Sequence, residues 1–76
     1  MENITRTQIE GFLEQKGYKI NAKMFSDLEN GIYDCFYKKG EGAIKLIKEK
    51  KLFQESDLLR IFYNKIMIEE FLHFIR

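Results

Sequence analysis

The chain has 76 residues, 45% of them hydrophobic and 33% charged, which is the composition of one folded globular domain and excludes a disordered protein. Its net charge of +1 is too small for a generally basic nucleic-acid-binding protein. No apolar run reaches the ~20 residues that a membrane-spanning helix needs. We therefore expect a single domain over residues 1–76.

The cellular context is indicated by the cysteine content and the codon bias. Cys35 is the only cysteine and cannot form an internal disulfide, and no apolar leader precedes the first predicted helix, so we expect a cytoplasmic protein. The chain has ten Ile and no Val, and ten Lys against three Arg. These choices favour A/T-rich codons and indicate a bacterial or phage source.

The first predicted helix covers about residues 7–16. Thr7 and Glu10 have the spacing of a capping box, in which the side chain of each residue accepts a hydrogen bond from the backbone N–H of the other at the helix start. Gly17 stands where a left-handed residue ends a helix. Apolar residues recur at helical spacing between these two signals, at Ile9, Phe12 and Leu13. A short extended connector, Tyr18 to Ile20, should follow.

The second predicted helix covers about residues 22–39, with Asn21 as its N-cap and Gly40 as its end. Its apolar residues fall on one stripe of a helical wheel: Met24, Phe25, Leu28, Ile32, Cys35 and Phe36. Asn30-Gly31 is also a turn signal, however, and IYDCFYK followed by AIKLIK could pair as a β-hairpin. Whether residues 32–47 form a helix or a hairpin stays open at this point.

Two further helices complete the predicted fold. The third covers about residues 42–51, with Ala43, Ile44 and Ile47 facing inward. The fourth covers about residues 57–75 and starts after Ser56, a favourable N-cap. The predicted fold class is therefore all-α, a small bundle of about four helices.

The apolar face of the fourth predicted helix changes sides near Met67. At 100° per residue, the first half places its apolar residues on one face, whereas the second half places them on the opposite arc, at Ile68, Phe71, Leu72 and Ile75. One straight helix cannot bury both arcs against a single layer. The helix could be central, it could break near Ile68, or the second arc could be exposed and contact another chain.

An exposed second arc predicts a protein-binding face. Exposed apolar patches with aromatic anchors mark interaction sites. The residues predicted to bind are Ile68, Phe71, Leu72 and Ile75, with Phe74 and His73 at the rim. We expect Phe71→Asp to leave the protein folded and to abolish association. The partner would be another protein or a second copy in a homodimer; small bacterial or phage proteins of this kind act as inhibitors, antitoxins, immunity proteins or adaptors.

Catalytic and metal-binding patterns are not found in the sequence. His73 lies near Glu69 and Glu70, but one histidine and two carboxylates are not the ligand set of a zinc site. Cys35 lies on the apolar stripe, where a thiol acts as a small hydrophobic group. No glycine-rich phosphate loop or nucleophile motif occurs. We therefore expect no enzyme activity, no cofactor, no metal and no small-molecule substrate.

A DNA-binding regulator is the alternative function. Residues 38–52 hold six lysines and two glutamates, a net charge of +4 in a nearly neutral chain. The predicted nucleic-acid contacts are Lys45, Lys48, Lys50 and Lys51. In addition, the tract from Gly17 to Gly31, ending in FSDLENG, resembles the second half of the helix-turn-helix of phage-repressor-type regulators, although it is longer than is usual there. That resemblance implies that the second predicted helix would contact DNA.

Overall fold

The computed structural model describes residues 3–20 and 32–76 and shows an α+β fold. In chain order, its elements are β1 (Ile4–Thr5), α1 (Arg6–Gln15), β2 (Lys19–Ile20), β3 (Tyr33–Tyr37), β4 (Ile44–Ile47), β5 (Leu52–Phe53), a 3-10 turn (Glu55–Asp57), α2 (Leu58–Phe62) and α3 (Lys65–Ile75). β1 and β5 form one antiparallel sheet, and β2, β3 and β4 form a second one in that order. The predicted all-α bundle is wrong.

Helix α1 agrees with the first predicted helix to within one residue at each end, but its N-cap differs. The capping box is formed by Thr5 and Gln8: the Gln8 N–H donates to Thr5 Oγ1 at 3.2 Å, and the Thr5 N–H donates to Gln8 Oε1 at 2.9 Å. At the other end Gly17 has φ +92°, and the Tyr18 N–H donates to the Leu13 carbonyl at 2.9 Å. This Schellman arrangement ends the helix as Gly17 predicts.

Residues 32–47 form a β-hairpin, which was predicted from the sequence as the alternative to a helix. β3 pairs with β4 so that Tyr33 lies opposite Ile47 and Phe36 lies opposite Ile44. Residues along β4 alternate between buried and exposed, with Ile44 and Leu46 in the core. The predicted helix 42–51 and the 33–37 part of the predicted helix 22–39 are therefore wrong. Residues 22–31 of that prediction lie outside the described residues.

A glycine-containing turn begins the connection between the two strands of the hairpin. The Glu41 N–H donates to the Lys38 carbonyl at 3.0 Å, which closes a four-residue turn. Gly40, the third residue of the turn, has φ +85°, the conformation that a type II turn requires there. Positive φ at Gly40 would also suit the predicted helix end, so this glycine alone does not decide between a helix and the hairpin.

The C-terminal segment is two helices, so the predicted single helix 57–75 is wrong. Tyr63 has φ +55° and ends α2, and Asn64 begins α3 by accepting from the backbone N–H groups of Ile66 at 2.8 Å and Met67 at 3.4 Å. A break was one of the three expected solutions, but it lies at Tyr63–Asn64 rather than near Ile68. Each short helix can therefore bury its own apolar face.

The core lies between α1, α2, α3 and the inner face of the hairpin. Three aromatic rings form its centre: the ring centroid of Phe12 lies 5.8 Å from that of Phe62 and 5.3 Å from that of Phe71. The two contacts are edge-to-face, the arrangement that aromatic quadrupoles favour. Among the helices of residues 3–20 and 32–76, none has the length and apolar character to span a membrane.

Candidate functional site

The residues predicted for the protein-binding face lie mostly against the core. Phe71 is 0% exposed, and the three other members of the second arc are half-buried and pack on the core cluster: Ile68, Leu72 and Ile75. That any of them contacts a partner stays a prediction. Phe71, however, presents no surface to a partner, so an interface would have to use other side chains.

Phe74 and His73, the predicted rim, line a groove between α1 and α3. This helix groove has a volume of about 570 Å³ and is lined by Phe12, Gln15, Lys16, Glu69, Glu70, His73 and Phe74. Phe74 is 43% exposed and packs its ring 5.5 Å from that of Phe12. Lys16 and Glu70 form an ion pair across the groove. The result is an aromatic floor with a mildly acidic rim.

The acidic rim does not amount to a metal site. Within residues 3–20 and 32–76, no three His, Cys, Asp or Glu side chains are grouped so that they could hold a metal ion. Cys35 is buried on β3.

The four lysines of the alternative nucleic-acid site lie on β4 and in the turn after it, not on a helix. Lys48 Nζ lies 3.8 Å from Asp34 Oδ1, and Lys50 Nζ lies 3.2 Å from Asp57 Oδ2. Lys50 also lies over the Phe53 ring, 5.3 Å from its centroid. Two of the four positive charges are therefore partly neutralised by carboxylates.

A second groove lies between β4 and α2 and brings the basic segment next to aromatic residues. This strand groove has a volume of about 360 Å³ and is lined by Tyr33, Lys45, Leu46, Ile47, Lys50, Phe53, Asp57, Arg60, Ile61 and Tyr63. The side chains of Leu46, Phe53 and Ile61 are buried and form an apolar floor. Tyrosines and cations form the rim. Such a groove can hold apolar groups on its floor and anionic groups at its edge.

Tyr63 is the most exposed large hydrophobic residue of the described chain, at 83%, and has an unusual backbone conformation. Its φ of +55° is left-handed, and it is the only described non-glycine residue with positive φ. For a residue with a bulky side chain this conformation costs about 1–2 kcal/mol. Strain of this kind often marks functional positions. Burial of the ring within this chain does not explain why a tyrosine stands here.

The charge of the strand groove is positive, with one carboxylate among three cations. The Gln54 N–H donates to Asp57 Oδ2 at 2.8 Å, and this bond, followed by Lys50 and Arg60, lowers the pKa of Asp57 below its ordinary value of 3.8. Asp57 therefore stays ionised at neutral pH. Lys45, Lys50 and Arg60 leave the groove with a net charge of about +2.

Only part of this groove was predicted from the sequence. Lys45 and Lys50 belong to the predicted alternative site, but Tyr33, Arg60 and Tyr63 were assigned no functional role. Asn64 carries the signal that would have placed the helix break, because Asn is a preferred N-cap. A break at that point would have shown Tyr63 as a terminal, exposed residue rather than part of a continuous apolar face.

Comparison of the chain with models of known protein families, with curated proteins and with solved structures finds no match.

Proposed function

We propose that this protein is a small non-enzymatic interaction module that binds another protein through the strand groove. One observation carries the proposal: Tyr63 is presented to solvent in a strained conformation at the rim of a groove that also contains Tyr33 and Arg60. This site replaces the second arc of the C-terminal segment as the proposed interface, because Phe71 is in the core.

The residue types at this rim support protein binding. Tyr and Arg are enriched among the residues that contribute most to protein interfaces, because each offers a large contact area and a directional hydrogen bond. The adjacent floor of Leu46, Phe53 and Ile61 provides an apolar surface into which a partner side chain can pack. A concave apolar centre with a polar rim is the usual organisation of an interface.

The proposal is tested by comparing partner binding of the wild type with that of two variants. Tyr63→Gly removes the exposed ring and suits the left-handed backbone, so we expect it to fold and to lose the partner. Leu52→Thr is the matched control, because Leu52 is an exposed apolar residue on β5 that lines neither groove. Sedimentation across a concentration series shows whether the partner is a second copy. A protein partner that binds the wild type and Tyr63→Gly with equal affinity would contradict the proposal.

Nucleic-acid binding is the second candidate, and the same groove favours it. The groove places two tyrosines, Tyr33 and Tyr63, next to the cations Lys45 and Arg60. This composition also binds single-stranded nucleic acids, by stacking bases on aromatic rings and pairing phosphates with cations. Such binding would weaken steeply with added salt. It would also be lost when the basic segment is reversed in charge at Lys45, Lys48 and Lys51. Absence of binding at low ionic strength would remove this candidate.

A further inference from the structure

We propose that the segment bound in the strand groove is an acidic peptide, in which a carboxylate side chain neighbours an aromatic or aliphatic one. This inference rests on the proposed function and names the chemistry of the partner. It follows from the placement of charge around an apolar floor.

Arg60 is the cation that α2 contributes to the groove. Asp57 is already engaged by the Gln54 N–H and by Lys50, at 2.8 and 3.2 Å. Arg60 is exposed and forms no ion pair with a residue of the described ranges. An arginine guanidinium can bind a carboxylate through two parallel hydrogen bonds. A partner carboxylate at Arg60 therefore complements the net positive charge of the groove.

The position of Arg60 relative to Tyr63 determines which kind of side chain must neighbour the partner carboxylate. The two residues are three positions apart at the end of α2, and the apolar floor lies beside them at Ile61. A carboxylate that reaches Arg60 brings its neighbouring side chain over Ile61 and against the Tyr63 ring. An aromatic or aliphatic neighbour would bury apolar surface there, whereas a second charged neighbour would be desolvated without a partner.

The carboxylate of Asp57 favours a peptide over a nucleic acid. It lies in the groove among the cations and stays ionised, so a phosphate backbone, with a negative charge at each nucleotide, would be repelled there. A peptide carries its carboxylates at chosen positions and can present a backbone N–H to Asp57 instead. The groove volume of about 360 Å³ also lies near the lower end of the ~300–1,000 Å³ typical of ligand pockets, which suits a few side chains of a short segment.

Selection of short random peptides displayed on phage tests the inference directly. The full chain is immobilised as wild type, Arg60→Gln, Arg60→Glu, Tyr63→Gly and the control Leu52→Thr. We expect peptides enriched on the wild type to contain Asp or Glu beside an aromatic or aliphatic residue. We expect their affinity to fall about tenfold or more with Arg60→Gln, and further with Arg60→Glu, and to be unchanged with Leu52→Thr.

Each other outcome overturns a defined part of the argument. Neutral or basic peptides whose binding depends on Tyr63 but not on Arg60 would retain the interaction function and overturn the acidic partner. Failure to enrich any peptide, or enrichment of peptides indifferent to both residues, would overturn both. A single-stranded oligonucleotide that binds the wild type and loses binding with Arg60→Glu, without peptide enrichment, would overturn both in favour of nucleic acid.

Discussion

The guanidinium of Arg6 donates to the carboxylate of Asp34, which joins the first turn of α1 to the second residue of β3 across 28 positions of the chain. Arg6 is only 7% exposed. Its Nη1 also donates to the carbonyl of Ile47 at 2.6 Å, and its backbone N–H donates to the carbonyl of Lys51 at 2.9 Å. One residue therefore fixes the helix to both strands of the hairpin and to the chain that leads into β5.

Arg6→Ala should unfold the protein or nearly so. Removing one partner of a buried ion pair typically costs about 3–5 kcal/mol, because the other partner is left without its counter-charge. Here Asp34 loses its hydrogen bond from Arg6 and, among the described residues, keeps only Lys48, whose Nζ lies 3.8 Å from Asp34 Oδ1. The Ile47 carbonyl loses the Arg6 guanidinium and keeps the Lys50 N–H at 3.3 Å. Since a domain of this size has a free energy of unfolding of only about 5 kcal/mol or somewhat more, we expect most of that stability to be lost. Urea denaturation followed by circular dichroism measures the change.

Glu10→Gln provides the control for this prediction. Glu10 Oε2 accepts from Arg6 Nε at 3.3 Å, but its carboxylate is much more exposed than that of Asp34. An exposed pair contributes about 0–1 kcal/mol, so this variant should remain close to the wild type. If Arg6→Ala cost no more than Glu10→Gln, the buried network would not hold the helix to the hairpin.

Phe71→Ala should lower the free energy of unfolding by about 3–5 kcal/mol. The ring is completely buried and contacts both Phe12 and Phe62, with centroids at 5.3 and 5.6 Å. For the same reason Phe71→Asp should unfold the protein, in contrast to the expectation from the sequence. Phe74→Ala is the comparison, since Phe74 is only partly covered and its loss should cost about 1 kcal/mol. Equal losses at the two positions, measured by urea denaturation, would place Phe71 outside the core.

Helix α1 could be predicted from the sequence, but the hairpin could only be offered as an alternative. In α1, the apolar spacing and the Gly17 stop agree, and both signals are local. In residues 32–37, Ile32, Cys35 and Phe36 fit a helical stripe as well as a strand, so periodicity alone does not decide. The pairing with Ile44 and Leu46 decides it, and that is a tertiary contact that short-range pattern does not contain.

The candidate site was harder to predict because its two sides come from distant parts of the chain. Lys45 and Tyr33 lie on adjacent strands of a hairpin that was not the favoured prediction. Arg60 lies on α2 and Tyr63 directly follows it, in a segment that was predicted to be one helix nearly four times as long as α2. The reversal of the apolar face in the last segment correctly indicated that one straight helix could not bury all of its apolar residues. The helix breaks at a left-handed tyrosine. Residue propensities do not predict a tyrosine there, because left-handed positions are usually Gly or Asn.

The contribution of Asp57 to stability should be lost in acid. Its pKa is lowered in the folded state, chiefly by the Gln54 N–H, so the folded protein binds this proton less readily than the unfolded chain does. The stabilisation is therefore complete above the ordinary pKa of 3.8 and disappears as pH falls through the lowered folded value. We expect Asp57→Asn to be less stable than the wild type at neutral pH.

The pH dependence of that difference distinguishes the carboxylate from a merely local packing effect. In urea denaturation, the difference in free energy of unfolding between the wild type and Asp57→Asn should narrow as pH is lowered below 3.8, because the wild-type carboxyl becomes neutral as well. A gap that stayed constant into acid would mean that the charge of Asp57 is not what stabilises the 3-10 turn.

Tyr63→Gly should be more stable than Tyr63→Ala by about 1 kcal/mol, the reverse of the usual order in a helix. Both variants remove a ring that is largely exposed, so the loss of side-chain contacts is similar. Alanine retains the cost of positive φ, about 1–2 kcal/mol, whereas glycine adopts this conformation freely and loses about 0.5–1 kcal/mol through its greater freedom in the unfolded chain.

Leu59 supplies the matched control for this comparison, because it is 66% exposed on the same helix and its φ is not among the positive ones. There, Leu59→Gly should be less stable than Leu59→Ala by about 1 kcal/mol. Opposite signs at the two positions, measured by urea denaturation of the four variants, would establish the left-handed conformation of Tyr63 in solution. The same sign at both would mean that α2 continues through Tyr63. The groove that depends on this break would then lose its rim.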